Sequence, residues 1–355
     1  MASLTPLHRM RRAPYMLSLL LLVALPLLAA CAGQTTSGQQ SSGPTTHVSL
    51  ALDWTPNTNH TGIYVAMQKG YYQQNGIDLT LTPYSSSIYP EQLVSTGKAQ
   101  FGISFPESVT TYRAQNVPIV SIAAIIEHNT SALVTLKSSG LDSVAKLAGK
   151  RYAGFGAPYE QPVISEMLSC AKASSTNFQN VTTQLDPIAA LKSGQFDFAW
   201  IYLGWEGIEA QQQGAALNTF PLTDYCIPDY SSPVIITNQQ YIQQHPDVIK
   251  RFLKATAEGY EYAIQHPDEA ANLLIQGAPK GSFDDEQLVH KSQAYLSPRY
   301  APDVKCWGMQ SPASWTNYPR FMFEHHAIQD ANGNPITKEP NYNAAFTNEF
   351  LPACS

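Results

Sequence analysis

Twice in this chain the end of a helix-forming stretch passes through a glycine into a short apolar strand that stops in a polar, aromatic turn. The first instance is Leu93-Val94-Ser95-Thr96-Gly97-Lys98-Ala99-Gln100-Phe101-Gly102, and the second is Leu191-Lys192-Ser193-Gly194-Gln195-Phe196-Asp197-Phe198-Ala199. A supersecondary unit that recurs in this way predicts two similar α/β lobes with turns at equivalent places. Strand and helix patterns alternate along the chain, so the sheets should be mainly parallel. Two lobes hinged by crossing strands enclose a cleft that closes around a ligand. On this reading lobe 1 comprises residues 47–135 and 236–355, and lobe 2 comprises residues 136–235.

The stretch that opens the folded part has the same logic. Residues 48–52 form an apolar run that reads as a short buried strand. It stops at Asp53-Trp54, and Pro56 rules out further sheet. From Gly62 an amphipathic pattern resumes in Ile63, Tyr64, Ala66 and Met67, which predicts a helix. In an α/β sheet such a turn lies outside the carboxyl end of a strand, where ligands bind. The helix start adds free backbone N–H groups. A second reading makes it a surface turn rich in Asn and Thr, with Trp54 plugging the core.

The ends lie outside the fold. His8, Arg9, Arg11 and Arg12 precede an apolar run over residues 17–30, too short for a membrane span and typical of a signal peptide. Leu28-Ala29-Ala30-Cys31 resembles a bacterial lipobox, which implies cleavage after residue 30 and a lipid on Cys31. Residues 31–46, rich in Gly, Ser, Thr and Gln, read as a flexible tether. Residues 47–355 suffice for about two domains. At 44% hydrophobic and 14% charged residues, a sizeable core is available. The net charge of -6 and the lack of a basic stripe exclude nucleic acid as a partner. Beyond Cys31, an exported chain with four cysteines suggests disulfides. Of the three possible pairings, Cys170–Cys226 with Cys306–Cys354 is the expectation. The absence of a Cys-x-x-Cys spacing argues against a zinc site, and no metal or cofactor is expected.

Five strand-end turns hold the candidate site: residues 53–60, 104–108, 127–130, 155–160 and 202–206. Trp54, Tyr159, Trp200, Tyr202 and Trp205 offer faces on which a ring can stack. Asn57, Asn59, His60, Glu107, His128, Asn129, Glu160 and Glu206 offer groups to read its edge. Structural roles compete at several of these. Trp200 alternates along a strand and suits core packing, His128 suits a helix cap, and Glu107 and Glu160 suit solvated helix starts. Signs of catalysis are weak. Gly154-x-Gly156 lacks the third glycine of a dinucleotide fingerprint, and neither a P-loop, a His-Glu-x-x-His nor a Gly-x-Ser-x-Gly is present. The chain therefore reads as a binding protein and not an enzyme.

The residues Leu52-Asp53-Trp54-Thr55-Pro56-Asn57-Thr58-Asn59-His60-Thr61-Gly62, then Lys69-Gly70-Tyr71-Tyr72, resemble the opening signature of a known family. So do Phe101-Gly102-Ile103-Ser104, Glu127-His128-Asn129-Thr130-Ser131, Phe198-Ala199-Trp200-Ile201 with Gly204-Trp205, and Phe346-Thr347-Asn348-Glu349-Phe350-Leu351-Pro352. The family is the thiamine-pyrimidine-precursor group of ABC-transporter substrate-binding proteins. The resemblance implies a two-lobed periplasmic-binding-protein fold of the second type. It also implies capture of a formylaminopyrimidine or hydroxymethylpyrimidine for import through an ABC permease; with the lipobox at Cys31, the expectation is a monomer anchored by lipid outside the cytoplasm. Relatives of the family bind riboflavin, which is the alternative ligand. Another relative, the fungal pyrimidine synthase, uses pyridoxal phosphate with a lysine and a histidine where this chain has Ser104 and Ser108. Its cysteine cluster is replaced here by Tyr230-Ser231-Ser232-Pro233. Both departures argue against synthesis.

Overall fold

The computed structural model describes residues 45–353. The expected signal peptide, Cys31 with its expected lipid, most of the expected tether and Cys354 of the expected Cys306–Cys354 pairing lie outside the described residues.

Two five-stranded sheets carry the fold. The first contains β1 (Thr46–Ala51), β2 (Ile77–Thr82), β3 (Phe101–Ser104) and β4 (Ile119–Ala124). The second contains β5 (Ser131–Leu136), β6 (Arg151–Gly154), β7 (Gln179–Thr182), β8 (Phe198–Tyr202) and β9 (Leu217–Pro221). The chain then returns to the first sheet through β10 (Val234–Asn238). Strand order is β2-β1-β3-β10-β4 in the first and β7-β6-β8-β5-β9 in the second. Each sheet has one strand that runs against its neighbours. These are β5 and β10, the two strands by which the chain enters each sheet after crossing over. The other pairings observed are parallel, as the alternation of strands and helices requires.

Two expectations about lobe limits need correction. β5 pairs with β8 and β9, so the chain leaves the first sheet before Ser131 and not at 135/136. Residues 119–136 are almost uniformly apolar apart from the polar stretch Glu127-His128-Asn129-Thr130, and that stretch is the crossover. The C-terminal third is also shared between the lobes. In the helix Pro312–Glu324, Trp315 packs with Val94, Val109 and Ile236 around the first sheet. One turn later, Tyr318, Phe321 and Met322 join Leu133, Tyr152 and Phe198 around the second. Side chains three and four apart share a helix face, so a single helix can bridge the two cores.

The first core rests on the helices Thr61–Gln68 and Pro246–Gln265. They approach backbone to backbone at Gly62 and Gly259. A Cβ at Gly62 would meet the Tyr260 ring, and one at Gly259 would meet the Gly62 carbonyl. The helix expected from Gly62 to about Gln73 breaks where Gly70 takes φ +73°, and a short helix, Tyr71–Gln74, comes next. Phe101 of β3 stacks on Phe252 at 3.8 Å, and Tyr260 stacks on Trp307 at 4.1 Å. Cys170, at the end of the helix Glu160–Cys170, is joined to Cys226.

Candidate functional site

After β1 the chain makes the Asp53–His60 turn, and this turn is held from within. Asn57 Oδ1 accepts from the Asn59 N–H at 2.9 Å and caps the 3-10 turn Thr58–His60. The Asn57 N–H donates to His60 Nδ1 at 3.3 Å. His60 Nε2 must then carry the proton, and it donates to Asp53 Oδ1 at 2.8 Å. His60 is fully buried with both ring nitrogens engaged. Tyr260 and Tyr300 donate to the carbonyls of Asn59 and Thr58, each at 2.6 Å. Asn57 and His60 therefore shape the loop, and Trp54 is the residue it presents outward. The indole is 49% exposed and leans on Tyr84 at 4.6 Å, so Trp54 does not plug the core.

β3 ends in Ser104, whose hydroxyl donates to the buried Glu91 carboxylate. The helix Pro106–Ala114 comes next, with Glu107 in its first turn. Glu107 is 3% exposed; Tyr318 Oη donates to its Oε1 at 2.9 Å. Tyr230 lies stacked on Tyr318 at 3.6 Å and stabilises the same carboxylate. Among the described residues no hydrogen bond of good geometry reaches the buried Glu107 Oε2, although the Tyr230 phenol lies near enough to lower the pKa of the carboxyl. Burial raises the pKa of Glu107 and outweighs the pull of the two phenols.

The second sheet presents aromatics. Phe155, Tyr159 and Trp200 touch one another with centroids 6.0 to 6.1 Å apart, and Phe155 is half exposed. Glu160 is buried and serves the loop, accepting from Tyr152 Oη at 2.8 Å and from the N–H groups of Phe155, Gly156 and Ala157 at 2.7 to 2.9 Å. At the end of β8, Tyr202 faces Phe105 of the first lobe at 6.4 Å. Glu206 Oε2 accepts from the Tyr202 N–H at 3.1 Å, and burial pushes the Glu206 carboxyl up to about 7.

These groups converge. The Tyr159 phenol is pushed far above its ordinary pKa by burial, then by Glu107, Tyr202, Glu160 and Glu91. Tyr202 is pushed up by burial and by Glu107, with smaller effects from Asp53 and Glu206. Glu107 of the first lobe thus lies within electrostatic range of the Tyr159 and Tyr202 phenols of the second. The four turns that supply them contain no lysine or arginine. Such a site suits a ligand that donates N–H groups and offers a flat ring; it repels anions.

Other expected site residues go elsewhere. His128 binds Asp229 through Nδ1 and Asp303 through Nε2, while Asn129 Oδ1 accepts from Ser131. Trp205 packs on Phe283 at 6.3 Å. The sequence reading missed Glu91, Tyr230 and Tyr318. Glu91 sits in a short helix start that looks solvated, and Tyr318 meets Glu107 across 211 residues, which no spacing reveals.

The fold is that of the ABC-import binding components. The periplasmic aliphatic sulphonate binding protein SsuA from Escherichia coli matches with a TM-score of 0.63 at 12% identity, over 84% of this chain and 91% of that one. The ligand-binding component of an ABC-type import system from Staphylococcus aureus matches with a TM-score of 0.63 at 13% identity, over 88% and 99%. Residues 57–270 match the NMT1/THI5-like family, and the chain belongs to it. The formylaminopyrimidine-binding protein of Halalkalibacterium halodurans is 26% identical over 326 residues, 91% of this chain and 97% of that protein. A 4-amino-5-hydroxymethyl-2-methylpyrimidine phosphate synthase of Legionella pneumophila is 26% identical over 309 residues, 86% of this chain and 92% of that protein.

Proposed function

We propose that this protein is a lipid-anchored extracytoplasmic receptor that captures an aminopyrimidine precursor of thiamine, of the formylaminopyrimidine or hydroxymethylpyrimidine type, and passes it to an ABC permease. The observation that carries the reading is the buried Glu107 carboxylate, whose Oε2 no hydrogen bond of good geometry reaches among the described residues and which raises the pKa of the Tyr159 and Tyr202 phenols. An exocyclic amine supplies the N–H donor that such a carboxylate lacks. The pyrimidine ring stacks on Trp54, Tyr159 or Tyr202, and lobe closure excludes water from the pair. The binding-protein name of the Halalkalibacterium relative supports the same ligand class. Export and lipidation rest on the signal peptide and Cys31.

The Legionella relative favours a second reading, a pyrimidine synthase. Against it, Ser104 stands where that chemistry uses a lysine, and its hydroxyl is engaged by Glu91. Ser104 offers no amine to hold pyridoxal phosphate. Calorimetric titration with formylaminopyrimidine, hydroxymethylpyrimidine, riboflavin and an alkanesulfonate tests the proposal. Saturable binding of an aminopyrimidine alone is expected. Binding of riboflavin without any pyrimidine would overturn the ligand class, and an absorbance band on incubation with pyridoxal phosphate would restore the synthase.

A further inference from the structure

The crossover between the sheets carries a second cluster of ligating side chains, apart from the aromatic cleft. His128 Nε2 lies 3.1 Å from Asp303 Oδ2 and 3.9 Å from Glu127 Oε1. The ligand atoms of these three residues all fall within 4.8 Å of one another. On the far side of the ring, His128 Nδ1 is bonded to Asp229, which also accepts from the Asn129 N–H at 3.0 Å. The backbone N–H of Asp303 donates to Glu127 Oε2 at 2.9 Å and leaves Oε1 turned toward the imidazole.

We propose that Glu127, His128 and Asp303 bind a divalent transition-metal ion of the zinc class. Ligands at ~2.0–2.2 Å around a tetrahedral ion lie roughly 3.3–3.6 Å apart, and the two separations here bracket that range. One imidazole nitrogen with two carboxylate oxygens is a donor set that zinc accepts. Asp229 on Nδ1 is the partner that orients a metal-ligating histidine and fixes its tautomer. Three carboxylates surround one imidazole, and the nearby Arg299 does not neutralise them. Its guanidinium lies over the Tyr295 ring at 3.7 Å and donates to the Tyr295 carbonyl. His128 also borders a cavity of about 250 Å³ shared with Thr130, Pro221 and Pro302. The site needs residues 175 apart, which is why no Cys or His spacing shows it. An ion there would tie the first crossover to the loop that carries Asp303 and stiffen the hinge between the sheets.

Titration of the chelator-stripped full chain with Zn2+ by calorimetry tests this. One equivalent should bind, and His128→Gln and Asp303→Asn should each weaken it at least tenfold with the circular dichroism spectrum unchanged. The Asp303 side chain is 76% exposed, so that variant should fold. Asp229→Asn should weaken binding roughly 10–100-fold by freeing the ring. An absence of Zn2+ binding, binding that survives both His128→Gln and Asp303→Asn, or a site that takes Ca2+ and refuses Zn2+ would overturn the proposal.

Discussion

Tyr318 Oη donates a 2.9 Å hydrogen bond to Glu107 Oε1, and so ties the helix that bridges both cores to the first turn after β3. That bond fixes the carboxylate, while among the described residues no hydrogen bond of good geometry reaches Oε2. The Glu107→Gln variant should therefore lose ligand binding without losing the fold. A charge-assisted hydrogen bond contributes about 1.5–3 kcal/mol, so affinity for an aminopyrimidine should fall roughly ten- to a hundredfold. Relief of a buried charge should leave the melting temperature equal or higher. Calorimetry and thermal denaturation on the same samples check both.

Trp54 makes a complementary case. Its indole is 49% exposed and packs on Tyr84, outside the core. Trp54→Ala should change stability by less than about 0.5 kcal/mol, as at other surface positions. Loss of a stacking face should weaken pyrimidine binding about tenfold, read by calorimetric titration.

Glu160 should behave in the opposite way. It gathers three backbone N–H groups and the Tyr152 hydroxyl. Glu160→Ala removes the acceptor from three backbone N–H groups and from the buried Tyr152 hydroxyl. Each orphaned donor costs about 1–3 kcal/mol, so unfolding in urea should show a loss of about 3 kcal/mol or more.

The Cys170–Cys226 link closes a loop with a sequence separation of 56. The chain-entropy treatment of such a loop gives about 4 kcal/mol of stabilisation. A Cys170→Ala/Cys226→Ala double variant should lose stability of that order in chemical denaturation.

Glu206 sets a pH dependence. Its ordinary pKa of 4.5 is raised to about 7 by burial at the end of β8. Between those values the folded state binds more protons than the unfolded one, so the contribution of Glu206 falls as pH rises through the window. Urea midpoints measured from pH 5 to pH 8 should decline, and Glu206→Gln should flatten the decline.

Much of the architecture was legible because period and punctuation agreed. The helices Pro246–Gln265 and Pro267–Gly277 begin at prolines, and Gly97 and Gly194 precede strands where the repeated pattern put them. The lobe limits were less legible, since β4, the crossover and β5 form one largely apolar run and only Glu127 to Thr130 mark the break. At the candidate site, the turns stand out in the sequence but the duties of the residues within them do not. Asn57, His60 and Glu160 look like ligand-reading groups, yet each is engaged by backbone inside its own loop. Glu91 and Tyr318 were invisible because packing between separate elements, and not local spacing, brings them to Ser104 and Glu107.

The most direct test is a crystal structure of the protein grown with formylaminopyrimidine. Difference density should show the ring between the two sheets, flat against Trp54, Tyr159 or Tyr202, with its exocyclic amine within hydrogen-bond reach of Glu107 Oε2. Ring density elsewhere on the protein, or a bound ring whose amine turns away from Glu107, would contradict the account.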